Sequence, residues 1–163
     1  MSSNVRLRPI DEQTLEPLLS VAVAEAEPDD VMPPVEAPAG WSHARREAFR
    51  AFHRSRFDGL AGAARTAMFA ILVDDDVVGM IRMTCHDQPA TMETGMWLGK
   101  SARGQGIAAA ALRLLLAEAV GAGARLVTAD TTPDNIPALG VLRRAGAELE
   151  HDGDTVRARI RLG

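Results

Sequence analysis

Tyrosine is absent from the 163 residues, and cysteine and lysine each occur once, as Cys85 and Lys100. A lone cysteine excludes a disulfide within the chain, which fits a reducing, cytoplasmic setting. Cys85 lies in an alternating apolar run, so a packed thiol is expected. A nucleophilic cysteine would need a neighbouring base, and the sequence points to none. No apolar run approaches a membrane span, and residues 1–10 are polar and charged without the apolar stretch of a signal peptide. Arginine supplies nearly all the positive charge, yet the formal net charge is −4 and no basic cluster occurs, so neither nucleic acid nor membrane is expected as a partner. No cluster of His, Cys, Asp and Glu has ligand spacing, and no metal is expected. What is present is ordinary for a soluble globular protein: 47% hydrophobic and 25% charged residues. The length suits one domain spanning residues 1–163, able to bury its own core.

The pattern along the chain alternates between periods of two and 3.6. Val5 to Ile10 reads as a strand, and Asp11 caps a helix marked by Leu15, Leu18, Leu19 and Ala22, with Pro17 near its first turn. Residues 27–40, EPDDVMPPVEAPAG, form a long acidic, proline-rich loop. Ser42 caps a second helix carrying Ala48, Phe49, Phe52 and Phe57. From Thr66 the period becomes two, with a hairpin around Asp74-Asp75-Asp76 and a further strand TMETGMWLG. A helix follows from about Gly104 to Val120, then the strand RLVTAD, a helix starting at Pro133-Asp134-Asn135 and ending at Gly146, and a final hairpin around Asp152-Gly153. The order predicts an α/β fold, a mixed sheet flanked by helices.

One feature of this pattern asks for a reason. The third long helix begins with Arg103-Gly104-Gln105-Gly106-Ile107-Ala108, and glycine is a poor helix former. The first turn of a helix exposes amide donors that have no partner within the helix, at the positive end of its dipole. Glycine lets an anion, above all a phosphate, reach them without meeting a Cβ. A tight strand-to-helix turn is the alternative. The loop lacks the Gly-Lys-Ser/Thr ending of a Walker-type motif, and it comes too late in the chain for a dinucleotide fingerprint.

These residues resemble the GNAT N-acetyltransferase superfamily. Arg103-x-x-Gly106-x-Ala108 is similar to the superfamily's Gln/Arg-x-x-Gly-x-Gly/Ala acetyl-CoA motif, and Asn135-x-x-Ala138 running on to Leu142 and Gly146 is similar to its second block. The resemblance is close over residues 67–150. It implies a GNAT fold: a twisted, mostly antiparallel mixed sheet of about seven strands with about four helices and a splayed central strand pair. It also implies acetyl-CoA as co-substrate. The amides from Arg103 through Gly104, Gln105, Gly106 and Ile107 to Ala108 would hold the pyrophosphate. The strand through Met96, Trp97 and Leu98 would pair with the pantetheine arm and supply an oxyanion donor. Asn135 would bind pantetheine or fix the next helix. Members are commonly dimers, which leaves a homodimer open.

The resemblance breaks at the general acid. Many members have a tyrosine four residues before the glycine that ends the second block; here that position is Leu142. A free thiol has a pKa of about 8.5, so the thiolate can leave unprotonated or take a proton from water, with Thr131 and Thr132 as weak alternatives. Glu93 is the first candidate for the base that deprotonates the amine, with Gly95 beside it allowing a bulge. Asp130 is the second, and His86 and His53 are weaker. For the acceptor, Asp29, Asp30 and Glu36 in the acidic loop, Asp87 in the turn after the third strand, and Trp41 as an apolar wall suggest a small cationic amine. An aminocyclitol or aminoglycoside antibiotic is the favoured example. A protein α-amino group is the alternative, because the motif region also resembles the ribosomal-protein acetyltransferases. A non-catalytic acetyl-CoA sensor is the third reading.

Overall fold

A computed structural model describes residues 4–163. In chain order the elements are β1 (Val5–Pro9), α1 (Glu12–Glu25), the single turn α2 (Pro28–Val31), α3 (His43–Arg54), β2 (Thr66–Val73), β3 (Asp76–Cys85), β4 (Thr91–Leu98), α4 (Ile107–Gly121), β5 (Leu126–Thr131), α5 (Ile136–Arg144), β6 (Glu148–Asp152) and β7 (Thr155–Arg161). The strands form one sheet in the order β1-β2-β3-β4-β5-β7-β6. Every neighbouring pair is antiparallel except β4 and β5. Among the described residues there are five α-helices; the additional one, α2, lies inside the proline-rich segment expected to be a loop.

Caps set the helix boundaries. Asp11 accepts the Gln13 and Thr14 amides at 2.9 and 3.1 Å, and Thr14 Oγ1 accepts the Asp11 amide in return. Pro17 sits in the interior of α1, deeper than its first turn. Ser42 Oγ accepts the Arg45 amide at the start of α3. Past α5, Gly146 takes φ +87°, and the Ala147 amide closes back on the Leu142 carbonyl at 3.0 Å. The β2–β3 turn places Asp74 and Asp75 both at positive φ, as a tight two-residue hairpin requires.

Alternation along the strands divides the core between the two faces of the sheet. Ile71, Ile81 and Val127 point to α4, where they meet Leu112 and Leu115. Met68, Ala70 and Met80 point the other way, to Leu15 and Leu18 of α1 and Phe49 of α3. The bulge expected at Gly95 is absent: β3 and β4 keep an unbroken register from Gly79–Leu98 to Cys85–Met92. The irregularity lies one strand pair away, where the β2–β3 register passes from Ile71–Gly79 to Leu72–Val77 and skips Val78.

His53, weighed above as a base, is instead a core residue with 1% exposure. Its Nδ1 lies 2.8 Å from the Phe49 carbonyl, so Nδ1 carries the proton, and its ring packs 4.1 Å from the Phe49 ring. Burial pushes its pKa down to about 4 from an ordinary 6.5. An unfolded chain therefore takes up a proton near pH 6.5 that the folded chain refuses until about pH 4. His53 contributes its full stability above this window and loses about 3 kcal/mol of it as pH falls through the window. Melting followed at pH 7 and pH 4.5 should show the native chain losing roughly 5–10 °C more than a His53→Leu variant. Equal losses would mean that His53 takes up its proton without unfolding.

Candidate functional site

Parallel pairing between β4 and β5 lasts three residues, from Thr91–Leu126 to Glu93–Thr128. Beyond that point β4 stays with β3 and β5 with β7, and a gap opens between them. The Thr91 carbonyl accepts the His86 amide, and the Gly99 amide donates to Val78. With no register break in between, odd-numbered residues of β4 direct their backbone groups to β3. Met96 and Leu98 therefore face the gap. Trp97, grouped with them in the sequence, gives its backbone to β3, and its side chain lines a cavity on the α1–α3 side of the sheet.

The gap leads to the start of α4. Gly104 and Gly106 take φ +75° and +78°, which disfavours any side chain. Gly106 caps the helix without a side-chain hydrogen bond. The first helical bond runs from Ala110 to Gly106, so the amides of Ile107, Ala108 and Ala109 have no partner within the helix. A Cβ at either glycine would meet no protein atom within 4 Å. Packing therefore does not explain the glycines; backbone conformation and open space above the amides do. Arg103 Nε donates to the Leu98 carbonyl at 3.2 Å and Gln105 Nε2 to the Ser101 carbonyl at 2.8 Å, so both side chains shape the turn.

Glu25, which the sequence did not single out, braces this turn from behind. Its Oε1 accepts the Ser101 amide at 2.6 Å. Hydrogen bonds from the Ser101 side chain and backbone hold its carboxyl below the usual range. Gly99 completes the contact, since a Cβ there would lie 3.0 Å from Val21 and 3.1 Å from the Glu25 carboxyl carbon. Across the gap, Asn135 caps α5 by accepting the Ala138 amide at 3.3 Å. Next to it Ile136 is 67% exposed, an apolar side chain left uncovered beside the opening. Leu142 is buried in the core and offers no acid.

Both candidate bases are held by arginines. Glu93 Oε1 accepts from Arg82 Nη2 at 3.0 Å, and Arg82 also reaches Thr84 Oγ1 at 3.2 Å. Gly95 makes room for this, because a Cβ there would lie 3.0 Å from the same guanidinium nitrogen. Asp130 takes two hydrogen bonds from Arg157, at 3.0 and 3.2 Å. They hold its carboxyl below the usual range, which makes it a poor proton acceptor near neutral pH. Glu93 also adds to the field at Arg157. In sheet order Arg82 on β3 and Glu93 on β4 form one pair and Asp130 on β5 and Arg157 on β7 another, one on each side of the place where the sheet splits. Arginine partners from distant strands leave no local sequence signal.

The acidic residues expected to gather around an acceptor do not all come together. Asp29 and Asp30 line an open cavity of about 350 Å³ with Val31, Met32, Phe52, Met68, Met80, Arg82 and residues 95–97. Glu36 is exposed and is not among its walls. Trp41 is a structural anchor: its Nε1 donates to the Ala26 carbonyl at 2.9 Å and its ring meets Phe49 edge-on, tying together the two ends of the acidic segment. Asp87 and His86 sit in the β3–β4 turn at the opposite end of β4 and line a separate cavity with Cys85.

A family model described as the acetyltransferase (GNAT) domain matches residues 4–148. The chain belongs to the GNAT acetyltransferases. Solved structures agree in fold. RimL, a ribosomal-protein α-N-acetyltransferase in complex with coenzyme A, is 20% identical with TM-score 0.74, over 99% of this chain and 96% of that one. Mycobacterium smegmatis RimJ in complex with a CoA disulfide is 25% identical with TM-score 0.73, over 96% and 81%. The Campylobacter jejuni N-acetyltransferase PseH in complex with acetyl coenzyme A is 11% identical with TM-score 0.70, over 98% and 100%. No curated protein matches the sequence. Among the described residues, no helix of this acetyltransferase is long and apolar enough to cross a membrane.

Acetyl-CoA is the co-substrate of the family, and the residues present fit it. The free amides of α4 suit an anion, and the open backbone edge at Met96 and the Leu98 N–H, beside the Leu98 carbonyl that Arg103 holds, suits an extended amide-bearing chain. Gly106→Ala should raise the Kd for acetyl-CoA at least tenfold in a calorimetric titration, while destabilising the fold by only about 1–2 kcal/mol of backbone strain. An unchanged Kd would detach the anion from this turn. Glu25→Ala should weaken acetyl-CoA binding about fivefold, the equivalent of one hydrogen bond of ~1 kcal/mol. An unaltered affinity would make that contact irrelevant to the turn's shape.

Proposed function

We propose that the chain acts as one catalytic domain over residues 1–163 and transfers acetyl from acetyl-CoA to the primary amine of an acceptor lodged in the cavity beneath α2. The observation that carries this reading is a coincidence on β4. Met96 turns its backbone to the gap, and Gly95, Met96 and Trp97 also line the cavity. A donor lying along the gap and an acceptor in the cavity meet at those three residues.

Acetyl-CoA supplies an activated acyl carbon. The protein's part is to hold it, place the amine beside it and accept charge. The amides of Ile107, Ala108 and Ala109, reached over Gly104 and Gly106, take the pyrophosphate. The backbone of Met96 and Leu98 takes the pantetheine arm, and one of their N–H groups stabilises the developing oxyanion. Asn135 keeps α5 in place beside that arm through its cap. Glu93 accepts the amine's proton through water, oriented by Arg82. Asp130, tied to Arg157, keeps that arginine beside Glu93. No tyrosine stands ready to protonate the departing thiolate, and a thiol of pKa about 8.5 leaves without one.

Two acceptors have specific support. Asp29 and Asp30 on the cavity wall favour a small cationic amine, of which an aminocyclitol or aminoglycoside antibiotic is the example drawn from the sequence. An enzyme of that kind would confer resistance by acting in the cytoplasm. The likeness to RimL, a ribosomal-protein α-N-acetyltransferase, favours a protein α-amino group.

Mass spectrometry of acetyl transfer to a mixed panel of aminoglycosides, polyamines and short peptides separates the two. With an acceptor in hand, Glu93→Gln should lower kcat by about a hundredfold, in the usual range for losing a general base, with acetyl-CoA affinity unchanged. Asp130→Asn should stay within about threefold of the native kcat, because that carboxylate is committed to Arg157. Full activity of Glu93→Gln would assign proton removal to solvent. The native kcat/KM should rise with pH and then level off, with no falling limb up to about pH 9.5; a falling limb would reveal a protein acid.

A further inference from the structure

The walls of the α2 cavity are chemically lopsided. Three of the seven methionines in the chain, Met32, Met68 and Met80, line it together with Phe52 and Trp97, while Met96 borders it by its backbone and packs its side chain on the α4 face. Met32, Met68 and Met80 are themselves 8%, 6% and 6% exposed, so they form a fixed floor and not a loose rim. The charged walls are three. Arg82 is already engaged by Glu93 and Thr84. Asp29 and Asp30 are exposed on the short helix that roofs the cavity.

We infer that this cavity selects an amine bearing an unbranched apolar or aromatic group, with that group on the methionine floor and the ammonium drawn in by Asp29 and Asp30. The inference rests on the acetyl-transfer reading above and names the acceptor class for that site. Size supports it: a cavity of about 150 Å³ holds a benzene ring, and this one offers about 350 Å³, room for a ring or thioether chain plus the carbons leading to the amine. Chemistry supports it as well. Methionine side chains are flexible and polarisable and pack well against ring edges. A polyhydroxylated sugar would set hydroxyls against walls whose exposed polar side chains are two carboxylates, since Arg82 is engaged and the unpartnered Trp97 Nε1 is buried, and unpaired buried hydroxyls lose affinity. Carboxylates beside an apolar floor complement a cation joined to a hydrophobic body. The apolar amine has two sources, a free arylalkylamine or the first residue of a peptide beginning with Phe or Met.

The test pairs binding with turnover. Phenethylamine, ethanolamine, kanamycin and two peptides differing only in a first residue of Phe or Ser are titrated calorimetrically into the native enzyme saturated with CoA. The same five are then incubated with acetyl-CoA and read by mass spectrometry. Phenethylamine or the Phe peptide should bind at least tenfold tighter than its polar counterpart. Met80→Gln should erase that preference with the fold intact by melting; Met68→Gln serves if Met80→Gln unfolds. Preference for phenethylamine alone assigns a small-molecule acceptor, and preference for the Phe peptide alone assigns a chain terminus. Equal binding of apolar and polar members, tighter binding of kanamycin, or a preference that survives both methionine variants overturns the inference. Apolar preference in binding without acetylation of any member would uphold the cavity's selectivity and count against the acetyl-transfer reading instead.

Discussion

Three residues of parallel pairing, and no more, hold the middle of this sheet together. Had β4 and β5 stayed paired beyond Glu93 and Thr128, the backbone of Met96 and Leu98 would be consumed in the ladder. The strands part because each has a stronger commitment on its other side, β4 to β3 along its whole length and β5 to β7. The gap gives an extended ligand an edge to pair with, and the turn at its end gives that ligand's anion a set of free amides. On each side of the split an arginine and a carboxylate pair, Arg82 with Glu93 and Arg157 with Asp130. Such exposed pairs add little stability individually.

The donor side and the acceptor side are made of different material. Backbone groups build the first: amides at the head of α4, and N–H and C=O groups along β4. Side chains build the second, drawn from α2, α3, β2, β3 and β4. A backbone site can tolerate wide change in side chains while its conformation is kept, and this agrees with a fold retained against structures of 11% to 25% identity. The absence of tyrosine belongs to the same division. Leu142 packs into the core, so α5 contributes position and a cap but no proton donor.

That division also explains what could be read in advance. Gly104 and Gly106 announce themselves because a positive φ and an open approach demand glycine locally. Asp11, Ser42 and Gly146 are legible for the same reason, each answering to a helix end within a few residues. The strands along the chain followed from period two; their order in the sheet did not. Arg82 and Glu93, eleven residues apart, were not legible as a pair, nor were Asp130 and Arg157, or Glu25 and Ser101, because each pair depends on strand register or helix docking fixed only in the fold. Gly95 was recognised as unusual but for another reason than the one found: it clears space for a guanidinium and leaves the register unbroken. Asp87 was grouped with Asp29 by charge alone, and charge carries no information about which end of β4 a turn occupies. Trp41 and His53 carry chemistry-bearing rings that the core uses for anchoring and filling.

The sheet ends at β6, whose free edge faces solvent with Glu148, Glu150 and Asp152 on one face, opposite Arg159, Arg157 and Thr155 of β7. A second copy laid antiparallel along that edge with the same face outward, centred on Glu150, would set Glu150 against Glu150 and Glu148 against Asp152. Directly opposed like charges destabilise strand pairs. That register of sheet extension across β6 is therefore disfavoured, in the way charged edges keep open strands from templating aggregates.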